Sequence, residues 1–562
     1  MRTLLKYFCF LVLIAMMCDC SGSKNRETLQ RELQSIDLMR GEVTLCGSGA
    51  DEFGKVEFAQ SCLEKVRADF NLATALLHSF EYPEAEKVFV KVIDEDPNCL
   101  MAYWGVAMSN FHPLWAPPSK EELEKGTRII GLARSLESKS QKESDYLEAV
   151  AVMFTDWDKI DHTTRLQKFE NATEKIYQKY PDDKEAAIFY ALALRAASSP
   201  EDKSFAKQRK AGEILNALFS AEPDHPGIAH YLIHTFDYPE LAELALPAAR
   251  KYASIAAASA HAQHMPSHIF TRLGLWDESI QSNSKMISAA QCYAESSGIK
   301  GHWDEELHGI DYIVYAYLQQ GRDSIAGDQV AYMSTISEVF PINNKEAYSF
   351  AAVPARYALE RRSWKEAAAL QLRPANFPWD NYPWERSIIS FGRALGAVHT
   401  RDLNSARAAL AELKANHATL LEKGKTYQAR QVQVQMLASE AWIQFLQGNK
   451  KEAVRLMTEA AEREDATEKD SVTPGEVVPA RELLGDLYLE IGEPTKALEA
   501  YEADLKTHRR RFNGLYGAGL AASKSGDTKK AITYYQELIE TAKLSEGRAE
   551  LETARSFLRK HM

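Results

Sequence analysis

Leu484-Gly485-Asp486-Leu487-Tyr488, followed by Gly492, Ala497 and Tyr501, is the stretch that decides how this chain folds. Gly519, Gly526, Ala531 and Tyr535 repeat its pattern, and Gly485 to Gly519 and Ala497 to Ala531 are both separations of 34 residues. Small residues at set points let two helices approach closely, and the tyrosine fills the space between units. Each unit reads as a helix, a turn and a second helix, unable to bury its apolar face alone and stable only when stacked on its neighbours.

The period and its small-residue pattern are those of the tetratricopeptide repeat. The register continues upstream. Gly105 follows Tyr103-Trp104 after a unit containing Ala85, Phe89 and Pro97, and Ala211 (with Pro223), Ala245 and Ser279 are again 34 apart. Further copies centre on Ala326, Ala367, Ala406 and Ala453 at intervals of 39 to 47 residues, which implies longer loops. Trp276 and Trp364 each open a second helix. The expected fold is an all-α helix-turn-helix solenoid, a right-handed superhelix of roughly nine to twelve repeats. Strand-like alternation is absent. Residues 61–425 form the N-terminal and central solenoid in this reading, and 426–562 the regular C-terminal repeats. The polar stretches 21–60 and 465–479 are expected to be irregular.

Residues 1–20 read as an export signal. Arg2 and Lys6 precede an apolar run, residues 8–17, that is too short to span a bilayer. Cys18 and Cys20 follow, then the polar Ser21-Gly22-Ser23-Lys24-Asn25, an order similar to that of a bacterial lipoprotein signal. Lipidation is expected at Cys18, with Cys20 as the alternative, placing an exported protein in the cell envelope on a lipid anchor. Such signals usually carry a small residue before the cysteine, whereas Met17 and Asp19 stand there. Beyond the signal stretch the cysteines are Cys46, Cys62, Cys99 and Cys292, with no CxxC pair to suggest a thiolate zinc site or a redox motif. Cys62 can pair with Cys46 or Cys99 in an oxidising compartment, or Cys46, Cys62 and Cys99 can remain free and buried.

A net charge of −12 argues against nucleic acid as a partner, because phosphate binding needs a basic surface. Arg509-Arg510-Arg511 is the one conspicuous basic cluster, and it reads as a solvated helix end.

Eight of the fifteen histidines fall between His225 and His308, in phase with the repeat. His230 and His264 share one repeat position, at which the next copy has Asp311. His234 and His268 share a second, occupied there by Tyr315, and His261 and His308 share a third. These positions are spaced i, i+3 and i+7, one face of the first helix of each unit. That face is expected to line a wet concave groove across residues 225–315, with His225 and His302 near its rim. Three uses compete. The rings can hydrogen-bond between helices. They can bind an acidic or polar ligand through His230, His234, His261, His264, His268, His308, Asp311 and Tyr315. Or His230, His234, His264, His268, His308 and Asp311 can hold zinc or another transition metal.

Catalytic patterns are missing. His230-Tyr231-Leu232-Ile233-His234 has Tyr231 where a zinc protease needs glutamate, and Gly517-Ala518-Gly519 lies inside a repeat helix rather than after a strand. Gly424-Lys425-Thr426 lacks the first glycine of a phosphate loop, since Thr419 stands there. Binding of a protein, peptide or small polar ligand is therefore expected rather than catalysis, with a metal-binding or metal-dependent role as the alternative.

Residues 75–82, Asp96-Pro97-Asn98-Cys99, residues 102–109, Phe111-His112-Pro113-Leu114-Trp115, Pro223-Asp224-His225-Pro226-Gly227 and His264-Met265-Pro266-Ser267-His268 together resemble a bacterial tetratricopeptide-repeat family. The resemblance runs over roughly residues 57–420. It implies the same fold, and it adds His112 and Trp115 as candidates at the N-terminal end of the groove.

Overall fold

A computed structural model describes residues 29–44, 46, 50–114, 116–136, 140–199, 202–470 and 472–562. The export-signal stretch with Cys18 and Cys20, and Trp115, lie outside the described residues. Twenty-six α-helices are present among the described residues, packed in sequence-adjacent pairs. The only β-structure among them is a two-residue parallel bridge, His302–Trp303 beside Val339–Phe340. Two compact units divide the chain, Met1–Thr44 with Phe53–Tyr231, and Leu45–Glu52 with Leu232–Met562. Within the second unit a single apolar core runs from Leu307 to Ala500.

In the first unit, helices Arg67–His78, Tyr82–Glu95, Leu100–Ser109, Lys120–Arg134, Gln141–Ala151, His162–Lys179, Lys184–Ala196 and Ala206–Phe219 each pack on the next. Gly105 shows why the repeat needs a small residue there: a Cβ would lie 2.4 Å from the Phe89 ring. Of the stretch 21–60, expected to be a polar tether, residues 29–44 and 53–60 instead contribute to this core. Leu33, Ile36, Val56 and Phe58 are buried, and Phe58 meets the rings of Trp104 and Tyr146 edge-on at 5.6 and 5.2 Å. The buried carboxylates of Glu86 and Glu84 accept the backbone N–H groups of Met39 and Thr44 at 2.9 Å each. A short-range polarity reading misses this, because the apolar residues are widely spaced.

In the second unit the repeat is regular. First helices Asp304–Gln319, Asn344–Glu360, Pro383–His399, Thr426–Leu446, Ala480–Ile491, Phe512–Ser525 and Ala549–His561 pack on one another in order, with the second helices between them. Gly485 and Gly517 press against the Tyr501 ring, where their Cβ atoms would lie 2.7 and 2.3 Å away, and Gly519 does the same against Tyr535. Trp276 and Trp364 open second helices as expected.

The inner faces of this unit are not left wet. Residues 466–479, irregular as expected, lie across them. Arg356, fully buried, pairs with Asp311 at 3.1 Å and donates to the carbonyls of Gly475 and Glu476 at 2.6 and 2.7 Å. Tyr312 donates to the Thr473 carbonyl at 3.1 Å, and the Lys469 ammonium reaches Asp237 at 3.5 Å. The basic cluster is also corrected, because Arg511 has no exposed side-chain surface and is held by Glu360 and Glu482 at 2.8 and 3.0 Å. His508 beside it bridges Asp504 and Glu476.

Two disulfides are present among the described residues, one in each unit. Cys62–Cys99 is one of the pairings open to the sequence, whereas Cys46 joins Cys292, both in the second unit.

Two substitutions check this packing. Gly105→Ala should destabilise the first unit by about 1–3 kcal/mol through overpacking on Phe89. Arg356→Met should cost about 3–5 kcal/mol in the second unit, since it leaves Asp311 buried and unpaired. Calorimetric unfolding of each variant measures both.

Candidate functional site

The repeat phase brings three histidines together in the second unit, but not the set that the phase alone suggests. His264 ends the short helix Ala260–His264, His268 lies one turn on in Pro266–Leu273, and His308 is in Asp304–Gln319. The His264 and His308 rings are 4.3 Å apart, and one nitrogen from each of the three lies within 4.8 Å of the others. The residue facing His264 is His308 rather than Asp311, three positions later on the same helix. Asp311 is committed to Arg356, and the Tyr315 hydroxyl accepts from Arg511 at 2.9 Å. Neither joins the cluster.

All three rings are buried, with exposures of 1%, 5% and 6% for His264, His268 and His308, against the expectation of a wet face. The cause is the connection at 466–479 together with Tyr312. That ring packs on His264, His268 and His308 with centroids at 4.7, 5.5 and 5.3 Å, its hydroxyl tied to Thr473.

Hydrogen bonding assigns the protons. Asn283 donates its amide to the Ser279 carbonyl at 2.8 Å, which turns its Oδ1 toward His264 Nδ1 at 2.7 Å. An amide oxygen only accepts, so His264 Nδ1 carries the hydrogen. His268 Nδ1 lies 3.0 Å from Asp237 Oδ2. Burial works to raise the Asp237 carboxyl, but Lys469 and Arg272 outweigh it and hold the group ionised, well below its ordinary range. An ionised carboxylate also only accepts, so His268 Nδ1 carries a hydrogen as well. The two Nε2 atoms, 2.9 Å apart, are then both lone-pair donors in the neutral rings. Burial pushes His264 and His308 well below their ordinary value, reinforced by His268 beside the first and His264 beside the second, and burial also lowers His268. His308 Nδ1 has no hydrogen-bond partner. Three neutral imidazoles with two of their Nδ1 hydrogens anchored to an amide and a carboxylate make a ligand set of the kind that holds a transition ion, with its outer shell in place.

The remaining candidates go elsewhere. His230 belongs to the first unit, its Nδ1 2.6 Å from the His78 carbonyl. His234 and His261 belong to the second, their rings stacked at 6.2 Å. His302 pairs with Glu306 at 2.7 Å. His112 lies against Glu122 at 3.2 Å and beside the Tyr82 ring. Asn283 and Asp237 were not found from the sequence. Asn283 carried a signal, since it falls seven residues after Trp276 on the apolar stripe of its helix, where a polar residue has to find a partner. Asp237 and Lys469 carried none, because their meeting is tertiary.

The histidines make this unit sensitive to acid. Their folded values lie below the ordinary 6.5, so under mildly acidic conditions the unfolded chain binds more protons and stability falls as pH drops below about 6.5. His508, raised by Asp504 and Glu476 against the effect of burial, contributes with the opposite sign. His308→Gln should remove roughly 1 kcal/mol of the stability lost between pH 7.5 and 5.5. Urea midpoints at the two pH values for wild type and variant measure this.

A family profile described as the tetratricopeptide repeat matches residues 514–545, which span most of the helices Phe512–Ser525 and Thr528–Thr541. No curated protein matches the chain. Among solved structures, the human IFIT1 dimer with m7Gppp-AAAA is similar at 12% identity over 87% of this chain and 92% of that chain, with a TM-score of 0.35. The profile match identifies a tetratricopeptide repeat at residues 514–545, within an all-α fold whose helices pack in sequence-adjacent pairs.

Proposed function

We propose that this chain is an exported scaffold of tetratricopeptide type, stiffened by a transition-metal ion on His264, His268 and His308. The observation that carries the reading is the pair of Nε2 lone pairs 2.9 Å apart, each ring fixed in that tautomer by Asn283 or Asp237. Two such atoms repel, and a cation between them turns the repulsion into coordination. Imidazole suits zinc and the other late first-row ions. The ion joins the His264 and His268 helices to Asp304–Gln319, and its burial suits a structural role better than turnover. The same reading moves the docking of a protein or peptide partner away from the inner face of the second unit, where residues 466–479 already satisfy the polar groups.

Export is supported by the two disulfides, which persist in oxidising compartments. A lipid on Cys18, or on Cys20, would hold the protein in the cell envelope.

Two experiments test this. Zinc at a hundredfold excess over its dissociation constant should stabilise the second unit by about 2.7 kcal/mol in thermal unfolding. A double variant, His264→Gln with His308→Gln, should lose that stabilisation. No zinc-dependent shift, or one that survives the double variant, rejects the metal reading. For the anchor, the chain expressed with its leader in a bacterial host should enter the detergent phase on partitioning, and Cys18→Ser should return it to the aqueous phase. An aqueous wild type would remove the anchor.

A further inference from the structure

The first unit contains a second cluster that the repeat phase did not indicate. His78 closes helix Arg67–His78, Glu185 opens Lys184–Ala196, and His225 immediately precedes Pro226. Glu185 stands between the two rings. His78 Nε2 is 3.0 Å from its Oε2, and His225 Nε2 is 2.9 Å from its Oε1. All three side chains are buried, and one ligand atom from each lies within 4.8 Å of the others.

The cluster is held rigidly from one side and is open on the other. His78 is stacked on Phe189 at 4.9 Å, and its Nδ1 meets the Tyr231 hydroxyl at 2.9 Å. Gly227 makes room for this ring, since a Cβ there would lie 2.5 Å from His78 Nδ1. Asp183 accepts the Glu185 backbone N–H at 3.1 Å and fixes where that carboxylate starts. On the other side, Glu185 and His225 line a cleft of about 650 Å³ whose walls include Lys55, Lys142, Asp183 and Glu222. His225 Nδ1 has no hydrogen-bond partner, so nothing beyond Glu185 sets the tautomer of that ring. The ionised Glu185 carboxylate only accepts, so the His225 Nε2 carries a hydrogen there, and a metal takes that position by displacing the proton.

We infer that His78, Glu185 and His225 form a second metal site, a two-imidazole, one-carboxylate set for a divalent first-row ion, with coordination positions facing the cleft. The donor set is the ground for the ion class. A carboxylate oxygen beside two imidazole nitrogens suits manganese, iron, cobalt and zinc, and three protein ligands leave places for water or a small anionic or polar ligand. The His264 cluster differs on both counts, with three nitrogens and no carboxylate oxygen in its inner set. The two sites are independent, and loss of one does not remove the other.

Cobalt(II) reads both properties in the full chain. In a background of His264→Gln with His308→Gln, one equivalent of cobalt should bind and give visible ligand-field bands. Glu185→Gln added to that background should abolish the bands, and His225→Gln should weaken binding at least tenfold. Azide should shift the bands, as an exogenous ligand reaching the metal through the cleft. Circular dichroism melts establish that each variant is folded; His225→Gln carries the test if Glu185→Gln is not. No cobalt binding in that background, or binding unchanged by either substitution, overturns the inference, and bands that azide leaves unmoved overturn its open coordination. If the wild type binds a single ion that the His264 and His308 substitutions remove, the site in the second unit stands and this one falls.

Discussion

The second unit depends on finding partners for charge away from water. Arg356, Arg511, Asp237 and Asp311 all lie on or beside its inner helices, and an unpaired ion in such a place costs several kcal/mol. Two later stretches of chain meet that demand. Residues 466–479 bring the carbonyls of Thr473, Gly475 and Glu476 and the ammonium of Lys469, while residues 508–512 bring Arg511 to Glu360, Glu482 and Tyr315. A stretch that reads as a loose polar loop is therefore part of the interior.

This arrangement explains why the histidines are where they are. On an open groove, imidazoles would be hydrated and would titrate near their ordinary value. Beneath Tyr312 and the crossing segment they are neutral, and their hydrogen bonds leave little freedom: Asn283 and Asp237 each take one hydrogen, and the two remaining lone pairs face each other. A buried polar network is stable only when all of its members are satisfied, and the cation we propose would complete this one. In the first unit Glu185 already sits between two rings, so that cluster can alternate between shared protons and a metal.

The scaffold and the two clusters are compatible. Repeats that contact only their neighbours transmit strain poorly over distance, and a ligand set that ties one repeat to the next stiffens the array locally. The disulfides act in the same sense by closing long loops, Cys46 to Cys292 most of all, with a sequence separation of 246.

The sequence by itself determined the repeat. Gly485, Gly519, Ala497 and Ala531 recur at a fixed spacing because close helix contacts tolerate only small side chains, and Tyr501 and Tyr535 lie over the very glycines that the spacing picks out. It also determined that His264, His268 and His308 share the inner face of successive helices, since helical phase is a local property. Three matters were left to the tertiary structure. The packing of one helix on the next decided that His308 rather than Asp311 meets His264. Residues 466–479, distant in the chain, decided that the face is buried. Contacts 107 residues apart decided that His78 and Glu185 meet at all. In each case the deciding contact joins segments whose separation no local periodicity encodes.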